Sequence, residues 1–578
     1  TVVAALEFEQ KLNFITEGLR FKALASFKNW SSTTNSASAG WNKYHLQDFS
    51  VDDNGVYSFV TRLQNESGGE VSTDLKPGVA NSGDRRFYFQ AIMDYNRTFG
   101  KHDVNAMFIY NQDELVTQLF SGDLIAALPK RKQGVAARLS YAYDGKYLAE
   151  VNMGYNGSEN FAKGHRWGFF PSIAVGYNIS EEAFFEPLKN VFSNMKIRAS
   201  WGLVGNDNIG GARFVYMPTI NLTGTGYTTG LDGDITYKGP VYSRYGNPEV
   251  TWEVGKKVNV GLDLQLFNSL NLTMDYFHET RTDIFQERGT IPQYLGTAGT
   301  KVFGNLAAMK NQGFDFAADF NKKIGKDWFI SFKGTFTYAH NEITKYDESP
   351  KYAFQSKVGQ SANIPSIMIS DGLFKDPDDV KNSNQQIGGN LSAGDIKYVN
   401  ISKLYGYDDD IVDISDWVWA KNPTVPEIVY GFGPSIRWKN LDFSFFFQGV
   451  AKVSLVMSDF HPFGDNSLRN VLTWIADDRW SPDNQNINAT YPRLTRDTSV
   501  NNTQRSDYWL RNAAFIKLKN AEIGYTYKNM RFYVSGMNLA TFSPFKHWDP
   551  EQGGGNGLKY PTQRVFNFGF QMTINNNR

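Results

Sequence analysis

Lys196 to Leu203 reads Lys-Ile-Arg-Ala-Ser-Trp-Gly-Leu, and its residues divide by parity. Ile197, Ala199, Trp201 and Leu203 fall on one side; Lys196, Arg198, Ser200 and Gly202 fall on the other. A period of two places those sets on opposite faces of a β-strand. Val258 to Leu266 repeats the arrangement, with Val258, Val260, Leu262, Leu264 and Leu266 set against Asn259, Gly261, Asp263 and Gln265. Many long strands with one aromatic-rich apolar face and one polar face meet something apolar on one side and water on the other. A transmembrane barrel with a wet lumen is the simplest object that fits.

Further strands follow in pairs. Leu19-Phe27 aligns Phe21, Ala23, Ala25 and Phe27, and Phe87-Tyr95 precedes His102-Tyr110 across a tight polar turn. Val135-Tyr143 and Tyr147-Tyr155 flank Asp144-Gly145-Lys146, an Asp-Gly hairpin signal. Phe314-Phe320, Ile330-Tyr338, Leu441-Phe447, Arg531-Asn538 and Phe566-Thr573 continue the pattern. The alternation predicts an all-β, antiparallel transmembrane barrel of roughly sixteen to eighteen strands, part of a larger barrel. In Phe515-Tyr527 the apolar parity switches between Leu518 and Ala521, which predicts a bulge at Lys519-Asn520. The connections Gly205-Pro248, Asn341-Glu427 and Ser454-Asn512 are long and lack clear periodicity, and the aromatics of the last two predict that they pack against one another. Short turns at one end and long loops at the other are the asymmetry of an outer-membrane barrel.

Composition agrees with this. The 578 residues are 41% hydrophobic with a mean hydropathy of −0.43, yet half of every barrel strand faces water, so such values do not exclude a membrane. No run of about 18 apolar residues exists, which excludes a helical membrane protein. Aromatics reach 15% and glycines number 52, in keeping with aromatic girdles and strand kinks. The 59 basic residues balance 59 acidic ones, leaving no electrostatic footprint for nucleic acid. The absence of cysteine removes disulfides, thiol nucleophiles and cysteine-bound zinc. No cofactor motif emerges: Gly553-Gly554-Gly555 lacks a following helix and the seven histidines are scattered.

Several segments, taken in order, resemble SusC-like TonB-dependent outer-membrane transporters. They are Arg166-Trp167-Gly168-Phe169-Phe170-Pro171-Ser172, Arg198-Ala-Ser-Trp-Gly202, Asn247-Pro248-Glu249 and Asp477-Asp478-Arg479-Trp480-Ser481-Pro482. Ser506-Asp507-Tyr508-Trp509-Leu510, Ile516-Lys-Leu-Lys-Asn520, Val534-Ser-Gly-Met-Asn538 and Asp549-Pro550-Glu551 complete the set. The resemblance implies that residues 1–578 are the C-terminal part of a barrel of about 22 strands, its N-terminal plug and first strands not present here. It further implies active import of oligosaccharides or peptides, a SusD-like surface lipoprotein as lid, a TonB complex acting through the plug, and surrounding outer-membrane lipid. The compartment it implies is the outer membrane of a Gram-negative, Bacteroidetes-like bacterium. Strand Val2-Leu12 is expected to border strands that this chain lacks.

Relatives of this kind often carry an Asp-x-Asn-x-Asp-Gly loop; here the chain reads Gly394-Asp-Ile-Lys-Tyr-Val-Asn400 and then Asp408-Asp409-Asp410-Ile-Val-Asp413. The four carboxylates suit hard cations, but the spacing and turn glycine of a calcium loop are missing, and no metal is assigned. Asp477, Asp478 and Asp483 around Trp480 form the nearest approach to a paired-carboxylate site, and the resemblance makes that segment a structural loop. No enzymatic activity is expected. Trp417, Trp419, Trp480 and Trp509 are the candidate contacts with substrate or partner, because an indole stacks well on a pyranose face and suits protein interfaces. A passive porin and a soluble β-rich glycan-binding protein are the alternatives.

Overall fold

The structure, a computed structural model, describes residues 1–63, 73–117, 128–210, 213–292, 294, 300–407, 410–460, 471–495 and 500–574. Seventeen strands are assigned to one antiparallel sheet, within the expected range. The first seven are β1 (Val2–Lys11), β2 (Leu19–Ser38), β3 (Lys76–Phe99), β4 (His102–Thr117), β5 (Lys130–Tyr143), β6 (Tyr147–Ser158) and β7 (Trp167–Asn178). Next come β8 (Phe192–Asn206), β9 (Glu253–Leu266), β10 (Leu270–Glu287), β11 (Phe303–Ile324) and β12 (Trp328–Lys345). The last are β13 (Ile428–Trp438), β14 (Leu441–Ala451), β15 (Phe515–Tyr527), β16 (Met530–Phe542) and β17 (Val565–Met572).

The described residues form two compact units. One comprises Thr1–Arg97, Ala106–Ala137 and Gly154–Asn160; the other comprises Thr98–Asn105, Arg138–Met153 and Phe161–Arg578. In the first, β1 pairs with β2, and β2 pairs with β3 from Leu19↔Tyr95 to Ser38↔Lys76. A separate hairpin, Tyr44–Val51 with Tyr57–Leu63, turns at Asp52, whose carboxylate accepts from Asn54 N and Val56 N at 2.9 Å.

In the second unit an unbroken antiparallel ladder runs from β7 through β8 and β9 to β17. Its register sets apolar residues directly opposite one another. Ile197, Leu262, Met274, Phe316 and Phe336 form one continuous row over five strands. Such opposed pairs contribute roughly 0.2–1 kcal/mol each relative to alanine pairs. Ile197, Trp201 and Phe332 are 41%, 44% and 36% exposed, and Leu264 and Phe336 are half-buried by their own sheet neighbours. None of the five is buried under a second layer, as a sandwich would require.

The polar face is cross-linked. Arg198 on β8 reaches over β9 to grip Asp275 on β10 with two hydrogen bonds of 2.6 Å, and its Nε donates to Asp263 at 3.1 Å. The intervening residue is Gly261, where a Cβ would lie 2.5 Å from the guanidinium carbon. Arg531 on β16 repeats the device, crossing Gly524 on β15 to Asp442 on β14 at 3.1 Å. A Cβ at Gly524 would sit 2.6 Å from Arg531 Nη2. In both places glycine supplies space for a charge to lie flat across a strand.

The turns at one end of this ladder are short. Phe267 and Asn268, between β9 and β10, both have positive φ (53° and 52°), a left-handed pair whose twist matches that of the flanking strands, and Asp144 and Gly145, between β5 and β6, show the same pair (53° and 68°). The opposite end carries connections 207–252, 346–427, 452–514 and 543–564. The expected bulge is present: Phe446 faces Asn520 while Phe447 faces Leu518, leaving Lys519 as the extra residue. Within the long connection Gly205-Pro248, Thr219–Thr229 and Ile235–Arg244 form an antiparallel hairpin. Three register shifts interrupt that ladder, which is why no sustained period shows in the sequence.

Candidate functional site

The loops at the long-connection end fold into a core of their own. Connection 346–427 supplies Met368, Leu373, Ile396, Tyr398 and Val412; connection 452–514 supplies Leu455, Met457, Ile475, Trp480, Tyr491 and Trp509; connection 543–564 supplies Phe545. These side chains are nearly all removed from solvent. Segments without strand periodicity can be ordered only if burial offsets their entropy, and aromatic side chains bury the most area per residue.

Short backbone pairings position them. Ser454–Val456 pairs with Leu510–Asn512, Ser370–Leu373 with Ile396–Tyr398, and Ser366–Ile367 with Val418–Trp419. Met368 exchanges backbone hydrogen bonds with Arg505 and Asp507, 2.8 and 3.0 Å long, which ties connection 346–427 to 452–514. Met457 and Gly555 form a bridge that adds connection 543–564.

Two buried asparagines close the joint. Asn502 accepts from Ile396 N at 2.9 Å and donates to Asp395 at 2.7 Å; Asn501 donates to the Ile396 carbonyl at 2.6 Å. The Trp509 indole donates to Asn502 O at 2.9 Å and the Tyr398 hydroxyl to Asn501 O at 2.8 Å. Asp395, fully buried, is neutralised by Arg493 at 2.8 Å. Burial pushes the hydroxyls of Tyr398, Tyr491 and Tyr508 well above the ordinary phenol range, so these groups are neutral.

A second joint attaches the loops to the strands. Lys517 on β15 has no exposed side-chain surface and donates to Asp549 at 2.7 Å and to Glu551. Burial works against charge on Asp549, but the hydrogen bonds from Lys517 and from Glu551 N–H outweigh it and hold this carboxyl below its usual range. The Ile516-Lys-Leu-Lys and Asp549-Pro-Glu segments, far apart in sequence, thus meet as one charged clamp.

The four candidate tryptophans separate into two kinds. Trp480 and Trp509 are 5% and 4% exposed and lie inside the core, so their rings offer no face to a ligand or partner. Trp480 covers Gly394, where a Cβ would be 2.2 Å from its ring. Trp417 and Trp419 are half-buried, stand edge-to-face at 4.8 Å, and Trp419 donates to Ser356 O at 2.9 Å. Sequence reasoning missed Asn501, Asn502 and Lys517, because neither buried amides nor a buried lysine has a local signature.

Of the acidic loop, Asp408 and Asp409 lie outside the described residues. Asp410 pairs with Lys403 at 2.9 Å and Asp413 accepts from Ser415 N at 2.6 Å. Among the described residues no cluster of three or more metal-binding side chains occurs. Asp477, Asp478 and Asp483 are exposed.

Residues 8–539 match the family described as TonB dependent receptor-like, beta-barrel. The chain belongs to this family. Among curated proteins, this barrel is similar to TonB-dependent receptor P3 of Formosa agariphila, 25% identical over 86% of the chain and 54% of that protein. It is 27% identical to TonB-dependent receptor SusC of Bacteroides thetaiotaomicron over 75% of the chain and 43% of that protein. The TonB-dependent barrel thus spans about half the length of these curated relatives. Among solved structures, the RagAB peptide transporter shares its fold, with a TM-score of 0.70 at 20% identity, covering 99% of the chain and 61% of that one.

Proposed function

We propose that the chain forms the barrel wall of an active importer of oligosaccharides or peptides in the outer membrane of a Gram-negative, Bacteroidetes-type bacterium. The loop core carries this reading. A passive pore needs an open mouth, whereas here three connections are folded and stapled into a shaped platform. Family membership and the receptor relatives support energy coupling through TonB. The chain's span of about half its curated relatives supports a longer native polypeptide, with a plug and further strands preceding residue 1.

In this reading the loop core faces the exterior and seats a SusD-like lipoprotein, with Trp417 and Trp419 as contacts to partner or substrate. Trp480 and Trp509 shape that surface from within. The decisive experiment follows substrate accumulation in the native host with and without TonB, together with co-purification of the lipoprotein. Accumulation that persists without TonB makes the protein a passive pore. Substituting Trp417 and Trp419 by alanine should reduce lid association or uptake and leave barrel assembly intact; unchanged uptake and lid binding would assign both rings to packing alone.

A further inference from the structure

The apolar face of strands β8 to β12 carries a groove of about 710 Å³, lined by Ile197, Val260, Met274, Tyr276, Phe314 and Phe336 among others. Its depth in the membrane follows from the aromatic rows at either end of that face. Beside the short turns Trp328 stacks on Trp438, with ring centroids 5.6 Å apart. Ten residues further along β12, Tyr338 stands level with Phe314 and Tyr276. Ten residues at about 3.4 Å each, tilted by about 40°, rise about 26 Å, the height of an apolar band between two aromatic girdles. The groove therefore opens in the half of that band nearer the long connections and ends at the upper girdle. Above it on the same face come His278, Gln312 and His340 in one row, then Lys256, Thr280 and Lys310 in the next. Lys310 is paired with Glu342 at 2.9 Å, His340 with Glu427, and His278 hydrogen-bonds Thr280. Lys256 and Gln312 are exposed, and among the described residues neither side chain makes a hydrogen bond or an ion pair.

We propose that this face holds one molecule of lipid A, the phosphorylated and acylated glucosamine disaccharide of the outer leaflet. One acyl chain fills the groove, the phosphate meets Lys256, and an amide or hydroxyl of the sugar meets Gln312. A concave apolar surface between two girdles is solvated by hydrocarbon, so its occupant is a lipid chain. The leaflet follows from the exterior position of the loop core, so the assignment rests on the import reading above. Lys256 selects a lipid of net negative charge. A phosphate gives it a charge-assisted hydrogen bond, whereas a zwitterionic headgroup would bring its own ammonium beside Lys256 and Lys310. Lys256 on β9 and Gln312 on β11 are two strand spacings apart, about 10 Å. A headgroup two sugar rings wide reaches both, and a single phosphoglycerol reaches one.

The test uses the full-length protein purified from its host and stripped of loosely held lipid in detergent. Native mass spectrometry then follows the return of synthetic monophosphoryl lipid A, its phosphate-free counterpart and phosphatidylethanolamine. Monophosphoryl lipid A should bind one to one, and about fivefold or more tightly than either comparison lipid. K256Q should weaken it by about fivefold and leave the phosphate-free lipid unaffected. V260W, which fills the groove, should abolish retention. I523W, at an exposed position on the apolar face of β15 outside the groove, should not. K256Q, at an exposed polar position, decides the matter if V260W fails to assemble. Equal binding of the three lipids, wild-type affinity in K256Q or in an assembled V260W, or equal losses in V260W and I523W would each overturn the assignment. Labelling of the long connections on intact cells is scored separately. If they are accessible while lipid binding ignores K256Q and V260W, this site fails and import stands; if they cannot be labelled from outside, the import reading fails on its own.

Discussion

Single glycines decide how charge is arranged on the polar face. Gly261 and Gly524 leave the spaces through which Arg198 and Arg531 cross a neighbouring strand. A Gly261→Val change puts a branched side chain where the guanidinium lies, so either the arginine leaves Asp275 or the strands spread. Overpacking of this kind costs typically about 1–3 kcal/mol. The expected outcome is a lower temperature of the heat-induced mobility shift on gels, with Gly524→Val behaving alike. Unchanged transitions in both would mean that the arginine bridges contribute nothing. Trp480 makes the matching case within the loops. Removing a fully packed indole costs about 3–5 kcal/mol, so Trp480→Ala should expose connections 346–427 and 452–514 to protease while the strand signal in circular dichroism persists.

At the scale of the element, the docking of connection 543–564 hangs on Lys517, Asp549 and Glu551. Asp549 titrates below its ordinary 3.8 in the folded state, so the clamp is fully formed above that pH. Acidification below 3.8 protonates the free loop before the docked one, and the stability the clamp supplies is lost as pH falls through the folded value. Proteolysis by an acid-active protease should therefore release this connection first. The double change D549N/E551Q strands a buried ammonium, a defect of about 3–5 kcal/mol, and should free the connection at neutral pH; resistance equal to wild type would refute the clamp. The strands themselves were legible because a period of two survives over each of them, as Lys196-Leu203 shows, and even the bulge at Lys519 announced itself as a switch of parity. The hairpin at 219–244 was hidden because its register shifts break the period. That connections 341–427 and 454–512 pack against one another was legible from their aromatic supply, but the contacts that order the loop core were hidden for a different reason. Its order comes from contacts such as Asn502 to Asp395, whose partners are remote in sequence and obey no local rule. The tryptophans were visible as a dense aromatic supply, but which of them face inward is a tertiary fact.

For the molecule as a whole, strands and loops rest on different physics and should fail separately. The strands hold through a continuous backbone ladder and an apolar face that the membrane satisfies. The loop core depends on three phenols kept neutral by burial. Below pH 10 that stabilisation is complete. As pH rises past 10 the unfolded loops shed protons that the folded loops retain, so the core loses stability with increasing alkalinity. The three buried phenols among the 30 tyrosines should then add a late, cooperative step to the tyrosinate absorbance that coincides with loop proteolysis, while strand content is unchanged. Loop protection lost without that late step would contradict this separation.

The joint made by Asn501 and Asn502 bears on how such a protein could be re-engineered. Here the acceptor for one connection is the backbone of another: Ile396 needs both asparagines, Met368 needs the backbone at Arg505 and Asp507, and Gly555 bridges Met457. A chimera that transplants 346–427 alone would import a surface whose counterpart stayed behind, leaving buried amides without partners. The three connections form the smallest exchangeable cassette, and a chimera should keep an ordered loop core only when all of them move together.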